Sequence, residues 1–574
     1  MHKPRPFCRL CHALITALVA GLPLLAAAPA FAADAASESA PTVSSPTVSS
    51  PSILPDGTFE TLDPATGRPA GWPGGRAVSW ETEPDPATGQ QNRFLRITSG
   101  GPARMDSLYL PVTLPPGAGA LEFSARARVT DLKKGPKSWN DARVIMNFKD
   151  ATGKQIGSAP PVWFGANTEG WKTPVTRFLV PPGATTLDFQ PTMFNAAAGT
   201  LDLDDVILRP IPRAPLEAEL ARNAPPPAPP REVSDPKKFP PEIRVQGNRL
   251  VSLRDGSEVW LQGVNVASME WRANGENVLR STLVAIEDWK ASVIRIPVKE
   301  EYWYGRNETQ SDGGKAYREL ADAVITLAAN RGAYVVIDLH RYRAPRPEHI
   351  EFWTDVATLY KNHPAVLFDL LNEAHGVSWE LWRNGGFVEE KKKAGEEDTF
   401  LTDAEKKYNK HGFESPGMQK MVEVVRATGA RNVIVAGGLD YAYDLSGIVN
   451  GYALTDTPDG NGIMYASHIY PWKRDWQGKM LDAAALHPIL IGEVGADVKK
   501  MPFETDETFV PPGTWVPDML GLIQKHRLNW TGWCFHPKAG PRMLADWKYT
   551  PTPFWGEPAK RALAGEKFEL RRLR

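Results

Sequence analysis

The sequence predicts an α/β protein in which a (β/α)8 TIM barrel over residues 242–574 follows an all-β sandwich over residues 53–210. Three observations lead to this prediction. The 574 residues exceed what one ordinary hydrophobic core supports, so two or three domains are expected. The second half alternates buried apolar runs with helix-like segments, as parallel strands joined by helices do. The first half has only short β-rich runs between Gly- and Pro-rich turns.

The composition argues against several kinds of partner. A formal net charge of -1 and a pI near 6.9 give no electrostatic reason to bind nucleic acid or an anionic membrane. The 19 Trp suit the flat faces of sugars, although most single Trp side chains pack in cores. Of three cysteines, Cys8 and Cys11 fall in the N-terminal segment, so the mature chain keeps Cys534 and no intrachain disulfide is expected. The Cys8-x-x-Cys11 spacing has no second pair, and we assign it no metal.

Residues 1–33 have the three parts of a secretory signal peptide. Basic residues come first, the apolar stretch Ala13–Ala28 follows, and Ala30-Phe31-Ala32 supplies small residues for cleavage. A membrane anchor is disfavoured because the apolar stretch is short and is interrupted by a glycine and a proline. We therefore expect a secreted protein, extracellular or periplasmic, without a membrane partner after cleavage. Residues 34–52 contain a repeated Pro-Thr-Val-Ser-Ser and predict a flexible linker.

The all-β unit contains strand-length runs without a helical period. The clearest are Phe94–Ile97, Leu121–Ala125, Arg143–Phe148 and Leu201–Leu208. Four tryptophans are candidate sugar platforms, and each is also a candidate core residue: Trp80, Trp139, Trp163 and Trp171. Asp56-Gly57-Thr58-Phe59-Glu60, Gly71-Trp72-Pro73 and Asp202-Leu203-Asp204-Asp205-Val206 resemble the start and end of jelly-roll carbohydrate-binding modules. That resemblance implies sugar binding, with a purely structural spacer as the open alternative. Residues 211–241 are rich in proline and predict a semi-rigid linker.

Eight buried runs predict the barrel strands. They are Val259–Val266, Ser292–Val298, Ala333–His340, Val366–Glu373, Asn432–Gly438, Ile463–Tyr470, Pro488–Gly495 and Trp530–Phe535. Segments between them predict helices at Asn277–Lys290, Lys315–Arg331, His349–Lys361, Pro416–Thr428, Asp475–His487 and Val516–Arg527. A hairpin from Ile243, with a turn signal at Asp255-Gly256, leads into the first strand. The 376–415 insertion is long, and its charged runs Glu389–Lys393 and Glu396–Asp398 predict a solvated helix or loop on the rim.

Two of the buried runs lead directly to a glutamate. Val366-Leu367-Phe368 is followed by Asn372-Glu373, and Ile489-Leu490-Ile491 by Gly492-Glu493. A parallel barrel gathers the C-terminal ends of its strands around one site. One such glutamate is as readily a structural ion-pair partner as a catalyst. Two carboxylates on one barrel, however, are the groups that split a glycosidic bond.

Other polar and aromatic residues fall at the predicted strand ends. They are Arg295 after the second strand, His340 after the third, Asn372 after the fourth, His468 and Tyr470 after the sixth, and Trp533 in the eighth. Taken singly, Arg295 is explained by a structural ion pair, His340 by a satisfied core position and Trp533 by packing. Their shared position at one end of the barrel favours a functional site.

The barrel resembles glycoside hydrolase family 5, the large cellulase-type family of clan A, over roughly residues 243–565. The residues that match are Arg295 in Val293–Pro297, His340 in Ile337–His340, Asn372-Glu373, His468 and Tyr470 in Ser467–Pro471, Glu493 in Ile491–Glu493, and Trp533. Ala374 stands where the family often has proline. The resemblance implies a retaining double displacement with Glu493 as nucleophile and Glu373 as general acid/base.

The same resemblance implies roles for the remaining residues and no metal or organic cofactor. Arg295 and Tyr470 keep Glu493 ionised and oriented, and His468 supports Glu373. Asn372 forms a hydrogen bond with the sugar 2-hydroxyl. His340 contacts the sugar or the surroundings of the nucleophile, and Trp533 forms the floor under the −1 sugar. Further subsites have six aromatic candidates: Trp303, Trp379, Trp382, Tyr441, Trp472 and Trp547.

Two alternatives are weaker. A zinc hydrolase would use His340, His375, His468 and His536, but the sequence has no His-x-His on an early strand and no His-Glu-x-x-His. A non-catalytic carbohydrate-binding protein is disfavoured because both glutamates are present. We expect a monomeric endo-β-1,4-glucanase acting on a polysaccharide or oligosaccharide. β-Mannanase, xyloglucanase and β-1,3-glucanase activities stay open, as does endo versus exo cleavage, which depends on whether the 376–415 insertion closes the cleft.

Overall fold

The computed structural model describes residues 50–390 and 411–574, apart from residues 86–87, 103, 138, 308 and 502. The predicted signal peptide, nearly all of the 34–52 linker and most of the charged run after Glu389 lie outside the described residues. The chain forms two compact units, one ending at Ala224 and the other beginning at Pro225. Within the described ranges, no helix combines the length and the apolar character needed to cross a bilayer.

The C-terminal unit contains a closed barrel of eight parallel strands, which confirms the predicted (β/α)8 fold. In chain order and in spatial order the strands are Gln262–Asn265, Val293–Val298, Tyr334–Leu339, Val366–Asp369, Ile434–Gly437, Ile463–Ile469, Ile489–Val494 and Asn529–Gly532. Each overlaps one predicted strand. The first strand pairs with the eighth, Val264 opposite Gly532, so the barrel has no free edge.

Helices surround the barrel. The longer ones are Val278–Glu287, Lys315–Ala329, Glu348–Tyr360, Gly417–Ala427, Pro512–His526 and Gly556–Leu563, and the shorter ones Glu300–Trp303 and Trp379–Asn384. In Lys315–Ala329 the buried residues include Tyr317, Ala321, Val324 and Ala328, the spacing of an amphipathic helix. The segment predicted as a helix over Asp475–His487 is shorter and less regular. It forms a π-helical stretch, Gln477–Leu481, and one turn, Asp482–Ala484, and Gly478 lowers the helix propensity at its start.

A small antiparallel sheet closes the N-terminal end of the barrel. Its strands are Ile243–Gln246, Arg249–Ser252 and Glu258–Val259, so the last of them ends the predicted hairpin rather than beginning the first barrel strand. Ile243 and Leu250 share one hydrophobic cluster with the barrel residues Val336, Leu367 and Leu490. Removing these aliphatic side chains from water stabilises this end of the barrel.

Two two-stranded sheets lie among the connections at the other end. Tyr342–Arg343 pairs in parallel with Glu373–Ala374. Gly386–Glu389 pairs antiparallel with Gly412–Ser415, and these strands flank the undescribed part of the 376–415 insertion. Part of the connection between the fourth and fifth barrel strands is therefore ordered.

The N-terminal unit consists of two antiparallel sheets. One has the spatial order Val78–Pro84, Gln91–Thr98, Ala198–Ile211, Ala120–Lys133, Val175–Leu179. The other has the order Met105–Ser107, Thr186–Phe194, Ala142–Lys149, Gln155–Ser158, with Leu110–Thr113 and Val162–Phe164 alongside. All four predicted β-rich runs lie within these strands. One hydrophobic cluster includes Leu95 and Phe123 from the first sheet and Met146 and Phe189 from the second, as in a β-sandwich. The jelly-roll assignment stays a prediction.

The four tryptophans of this unit have different surroundings. Trp80 packs against the hydrophobic cluster. Trp171 is half-buried beneath two guanidinium groups, with the Cζ atoms of Arg126 and Arg128 at 4.9 and 4.4 Å from its ring. Trp139 and Trp163 are 46% and 39% exposed. Of these four tryptophans, Trp139 and Trp163 are the ones with a large accessible surface.

The 211–241 segment is more ordered than a simple linker. Its first part forms the helix Arg213–Asn223, because this run contains many strong helix formers. Arg213 donates hydrogen bonds to the backbone oxygens of Gly119 and Val180, at 3.5 and 3.3 Å. The helix is thus anchored to the N-terminal unit. A 3-10 turn, Pro236–Lys238, follows the prolines.

Candidate active site

All eight predicted site residues meet at the C-terminal end of the barrel, joined by hydrogen bonds, ion pairs or ring contacts. Three of them, Arg295, His468 and Glu493, lie inside strands rather than after them. His340, Tyr470 and Trp533 each come directly after a strand. Asn372 and Glu373 follow the fourth strand across a short connection, and Glu373 begins the two-residue strand beside Tyr342–Arg343.

The two glutamates approach each other closely. One carboxylate oxygen of Glu373, one of Glu493 and one ring nitrogen of His468 all lie within 4.8 Å of one another. His468 Nδ1 is 3.1 Å from Glu373 Oε1 and 3.6 Å from Glu493 Oε2. The side chain of Glu373 is 15% exposed and that of Glu493 only 5%, so Glu373 is the more accessible of the pair.

The imidazole of His468 lies between the two glutamates and is uncharged. Burial lowers its pKa to about 3, even though the charge of Glu493 acts in the opposite direction. Nε2 has no hydrogen-bond partner among the described residues, and a side chain at Gly492 would come within 2.8 Å of it. We therefore assign the ring proton to Nδ1, which donates to Glu373. Gly492 in the Ile491-Gly492-Glu493 motif leaves space for this imidazole.

Arg295 is completely buried and faces three carboxylates. Its Nε donates to Asp369 Oδ2 at 3.0 Å. Nη1 donates to Glu493 Oε1 at 3.3 Å, and Nη2 lies 3.1 Å from Asp338 Oδ1 as an ion pair outside hydrogen-bond geometry. Arg295 has no exposed surface, so it holds the acids in place and does not contact a ligand.

One guanidinium does not neutralise three buried carboxylates. Burial raises the pKa of Asp338 and of Asp369, and the charge of Arg295 only partly opposes this. Although burial alone would lower it, the pKa of Arg295 is raised by Asp338, Asp369 and Glu493, so the guanidinium stays charged. The native protein therefore holds a proton on the aspartates that an exposed carboxyl would release.

Glu373 occupies an environment that favours its neutral form. Burial raises its pKa, while His340 and Arg295 act in the opposite direction with smaller effect. A raised pKa suits a carboxyl to act as a general acid.

Tyr470 orients the second oxygen of Glu493. Its hydroxyl donates to Glu493 Oε2 at 2.7 Å. Burial raises the pKa of Tyr470 well above its usual range, and the neighbouring charge of Glu493 acts in the same direction. The phenol therefore keeps its proton, and Glu493 is held from both sides by Tyr470 and Arg295.

Two asparagines are oriented by Arg295. Asn372 Oδ1 accepts from Nη2 at 2.8 Å, and Asn265 Oδ1 accepts from Nη1 at 3.0 Å. This fixes the amide of Asn372 so that its NH2 group is the part left to donate elsewhere. Asn265 Nδ2 donates to the backbone oxygens of Gly492 and Thr531, at 2.8 and 3.2 Å, and so joins the first strand to the seventh and eighth.

His340 belongs to a second chain of polar contacts. Its Nδ1 lies 2.7 Å from Asp338 Oδ2, and its Nε2 lies 3.1 Å from the hydroxyl of Tyr342. Burial lowers the pKa of His340 to about 4, so the ring is neutral. We assign its proton to Nδ1, which makes Nε2 the acceptor for Tyr342. The ring of Trp533 lies parallel to that of His340, with centroids 5.7 Å apart and an interplanar angle of 9°.

Sequence reasoning missed five residues of this region: Asn265, Asp338, Asp369, Tyr342 and Glu270. A signal was present for the two aspartates, since each interrupts a buried strand and a buried charge needs a partner. Tyr342, 47% exposed, could have been suspected because it follows His340 by two residues. Glu270 is buried in the connection after the first strand. Its Oε2 accepts from Ser268 N at 2.7 Å, its Oε1 has no partner in the described part of the chain, and burial raises its pKa to about 8.

The six aromatic subsite candidates divide into core and rim. Trp303 and Trp382 are fully buried, with their ring nitrogens bonded to Asp355 and Gly437, and were wrong as candidates. An apolar residue near a strand end looks the same in sequence whether it faces the core or the cleft. The others stay partly accessible: Trp379, Tyr441, Trp472 and Trp547.

The two glutamates also belong to a cluster of potential metal ligands. Among the described residues, the three donors Glu373, His468 and Glu493 form a group compact enough to hold an ion. His340, His375 and His536, the other members of the zinc alternative, are not in this group.

The sequence of the barrel matches a family of known proteins. The family model described as cellulase, glycosyl hydrolase family 5, matches residues 253–539, half of the chain. Endoglucanase E-5 of Thermobifida fusca is 21% identical over 308 residues, covering 51% of this chain and 55% of that one. Endoglucanase A of Butyrivibrio fibrisolvens is 24% identical over 240 residues, covering 41% and 46%. The chain thus spans about half the length of these relatives.

Solved structures match the chain at low identity. The native form of a beta-glucanase from Saccharophagus degradans is 20% identical, with a TM-score of 0.44, and covers 58% of this chain and 97% of that one. The family assignment rests on the model match and on no single relative. The chain belongs to glycosyl hydrolase family 5, the cellulase family.

Proposed function

We propose that the protein is a retaining glycoside hydrolase that cleaves β-linked polysaccharide by double displacement. The observation that carries this proposal is the short distance between the two acids, whose nearest carboxylate oxygens lie within 4.8 Å. Retaining enzymes have carboxyl groups about 5–5.5 Å apart, whereas inverting enzymes need about 6.5–9.5 Å to admit a water. The close approach of Glu373 and Glu493 therefore favours the retaining arrangement, in which Glu493 itself attacks the anomeric carbon.

In the first step a bond forms between Glu493 and the anomeric carbon as the bond to the glycosidic oxygen breaks. Glu373 gives its proton to the departing oxygen, which leaves as a hydroxyl group. Burial, which raises the pKa of Glu373, keeps that proton available. Arg295 and Tyr470, 3.3 and 2.7 Å from the two oxygens of Glu493, stabilise it as a carboxylate before attack.

In the second step water replaces Glu493 on the anomeric carbon. Glu373, now a carboxylate, takes a proton from the water as it attacks, and the bond to Glu493 breaks. Two inversions give net retention. His468 is neutral throughout and donates to Glu373 in both of its states, so it orients the acid without fixing its charge.

The remaining residues act on the sugar. Asn372, whose amide oxygen is occupied by Arg295, donates through its NH2 group to the 2-hydroxyl, a contact that strengthens in the transition state. The parallel rings of His340 and Trp533 provide a flat surface at the −1 sugar. No step requires a cofactor.

We propose a β-1,4-glucan as the substrate and endo-cleavage as the mode. The named relatives are endoglucanases, which favours this choice over mannan, xyloglucan or β-1,3-glucan. The test is a polysaccharide panel that measures reducing ends released from cellulose derivatives, mixed-linkage glucan, mannan, xylan and xyloglucan, with the product anomer followed by NMR. Release of the β-anomer from a cellulose derivative is the expected result. An α-product would overturn the double displacement, and silence across the panel would favour a non-catalytic binding protein.

We further propose the division of the chain into a signal peptide (1–33), a linker (34–52), a carbohydrate-binding module (53–210), a second linker (211–241) and the catalytic domain (242–574) of a secreted monomer. The exposed Trp139 and Trp163 support sugar binding by the module. Retention of the full chain on insoluble polysaccharide should fall when both are changed to Ala. Unchanged retention would favour a structural role for this unit, and N-terminal sequencing of the exported protein tests the signal peptide.

A further inference from the structure

The two exposed tryptophans of the N-terminal unit are both connected to one arginine. Trp163 lies opposite Arg143 where the strand Val162–Phe164 pairs with Ala142–Lys149. Arg143 also donates through Nη2 to the backbone oxygen of Trp139, which precedes the same strand. Trp139 and Trp163 therefore lie near the same end of one strand of the second sheet.

The segment before Trp139 is anchored by close backbone contacts. Lys137 N donates to Asn140 Oδ1 at 2.9 Å, and Asn140 N donates back to the backbone oxygen of Lys137 at 3.0 Å. A Cβ atom at Gly135 would lie 2.0 Å from the backbone oxygen of Asn195, so the two chain segments approach too closely there for a side chain. These contacts limit the order that a ligand must impose when it binds.

Each of the two tryptophans has a lysine beside it. Lys137 Nζ lies 5.1 Å from the centroid of the Trp139 ring. A Cβ atom at Gly165 would lie 3.4 Å from Lys134 Nζ and 3.4 Å from Cζ3 of Trp163, so this ammonium and this indole flank one glycine. Both lysines are exposed. We call Trp139, Trp163, Lys134 and Lys137 the lysine–tryptophan patch.

The two lysines of the patch keep an uncompensated positive charge. The buried Asp141 is paired with Arg143, at 2.6 Å, and the neighbouring Asp131 and Lys133 have opposite charges. Among the described residues, neither lysine of the patch forms an ion pair. The patch therefore attracts negatively charged groups.

The first sheet shows a different arrangement of aromatic and basic side chains. Its neighbour Trp171 lies beneath the guanidinium groups of Arg126 and Arg128. Arg126 pairs with Asp204 at 3.2 Å. Arg128 pairs with Asp202 at 2.9 Å. Of the two groups, the lysine–tryptophan patch is thus the one that has charge left for a ligand.

We propose that the N-terminal unit binds acidic polysaccharide, in which the sugars carry carboxylates. The apolar C–H face of a uronic acid stacks on the indole of Trp139 or Trp163, while its carboxylate accepts from the ammonium beside that ring. This inference rests on the proposed sugar binding by the unit and names the class of sugar. It assigns the two units different ligands, an acidic polysaccharide for the sandwich and a β-glucan for the barrel.

The test measures retention of the full chain on two fibres that differ in charge. One fibre is cellulose, and the other is the same cellulose with its C6 hydroxymethyl groups oxidised to carboxylates. Glu493→Ala is the background, so that the fibres are not digested. At low ionic strength we expect the association constant to be about fivefold higher on the oxidised fibre, the effect of two exposed ion pairs. This preference should disappear in about 1 M salt, which screens charges beyond about 3 Å.

Three double variants separate the charge from the aromatic rings. Lys134→Gln/Lys137→Gln should lose the preference for the oxidised fibre and keep its retention on untreated cellulose, which also shows that it is folded. Lys154→Gln/Lys172→Gln is the matched control, since it removes the same charge from two exposed lysines outside the patch, and it should keep the preference. Trp139→Ala/Trp163→Ala should weaken retention on both fibres.

The possible outcomes distinguish this inference from the proposed sugar binding. Equal retention on both fibres, or an equal loss of preference in the control variant, would overturn the inference and leave sugar binding by the unit in place. Displacement by polyglutamate as effective as displacement by polyglucuronate would also overturn it, because charge alone would then be recognised. Retention on neither fibre would overturn both.

Discussion

The two ends of the barrel are filled by opposite kinds of side chain. At the N-terminal end, aliphatic residues such as Val336, Leu367 and Leu490 pack beneath a small antiparallel sheet. At the C-terminal end, the same interior contains Arg295 together with buried carboxylates and amides. One strand supplies both, since Leu367 and Asp369 are separated by a single residue.

This contrast separates stability from chemistry. Aliphatic burial stabilises the fold without specifying any reaction. Buried charges cost desolvation energy and, even when paired, often stabilise a protein less than apolar residues of the same size. In the barrel, this desolvation cost arises at the C-terminal end, where the buried charged groups fix the orientation of the two acids. Changes at the C-terminal end should therefore affect turnover first, and changes at the N-terminal end should affect stability first.

The largest effect is expected from Glu493→Ala. Without the nucleophile, turnover should fall by at least about a thousandfold, while the melting temperature stays close to that of wild type. Added azide should restore turnover and give a glycosyl azide of inverted configuration, identified by NMR. Retained activity without azide would show that another group attacks the sugar.

Glu373→Ala should have a leaving-group-dependent effect. A general acid contributes about 10²–10⁴-fold, and a leaving group that departs without protonation does not need it. Turnover of the natural polysaccharide should fall by that amount, whereas activated aryl glycosides should form the glycosyl enzyme at nearly the wild-type rate. Pre-steady-state kinetics on both substrates measure this difference, and an equal loss on both would argue against the acid role.

Leu367→Ala tests the other end of the barrel. Leu367 is 1% exposed, and removing a buried leucine side chain costs about 2–5 kcal/mol. The free energy of unfolding from urea titration should fall by that amount while kcat at a permissive temperature is retained. Leu359→Ala, at a position 57% exposed, is the control and should change little. A loss of kcat in a still-folded Leu367→Ala protein would contradict the assignment of stability to one end of the barrel and chemistry to the other.

The most gradual effect is a change in how the free energy of unfolding depends on pH. Burial raises the pKa of Asp369, so the native protein holds a proton that the unfolded chain releases near pH 4. The free energy of unfolding should therefore fall as pH rises from about 4 through the raised pKa, by at most about 1.4 kcal/mol per pH unit for each proton. Asp369→Asn keeps the oxygen that accepts from Arg295 and cannot titrate, so its urea-derived stability should fall less steeply. An unchanged slope would contradict the assignment.

Much of the barrel was readable from the sequence because parallel strands are buried on both faces. Uninterrupted apolar runs such as Ile489-Leu490-Ile491 identified the strands, and a glutamate at the end of such a run predicted a site there. Where the pattern was less distinctive, the structure differs. Gly478 and the irregular stretch around it interrupt a segment predicted as one helix, and Arg213–Asn223 forms a helix where neighbouring prolines predicted a linker.

The contacts that orient the acids were not readable from the hydrophobic pattern; only the family resemblance pointed to Arg295, Tyr470 and His468 as their partners. Asn265 and Arg295 meet although they lie on different strands, and His468 reaches Glu373 across 95 positions of the chain. Hydrophobic periodicity reports which residues are buried and not which of them touch. The same limit explains why Trp303 and Trp382, which fill the core, were named beside Tyr441 as rim residues.

The hydrogen bonds of Asn265 have a consequence for how the molecule is made. Asn265 lies on the first strand, and it joins Arg295 to backbone oxygens of the seventh and eighth strands, Gly492 and Thr531. A growing chain completes this junction only when its last barrel strand pairs with its first, a closure across 266 positions of the chain. Long-range closure of this kind is slow compared with helix formation. During refolding, the return of enzymatic activity should therefore lag behind the return of helical circular dichroism and report the moment of barrel closure.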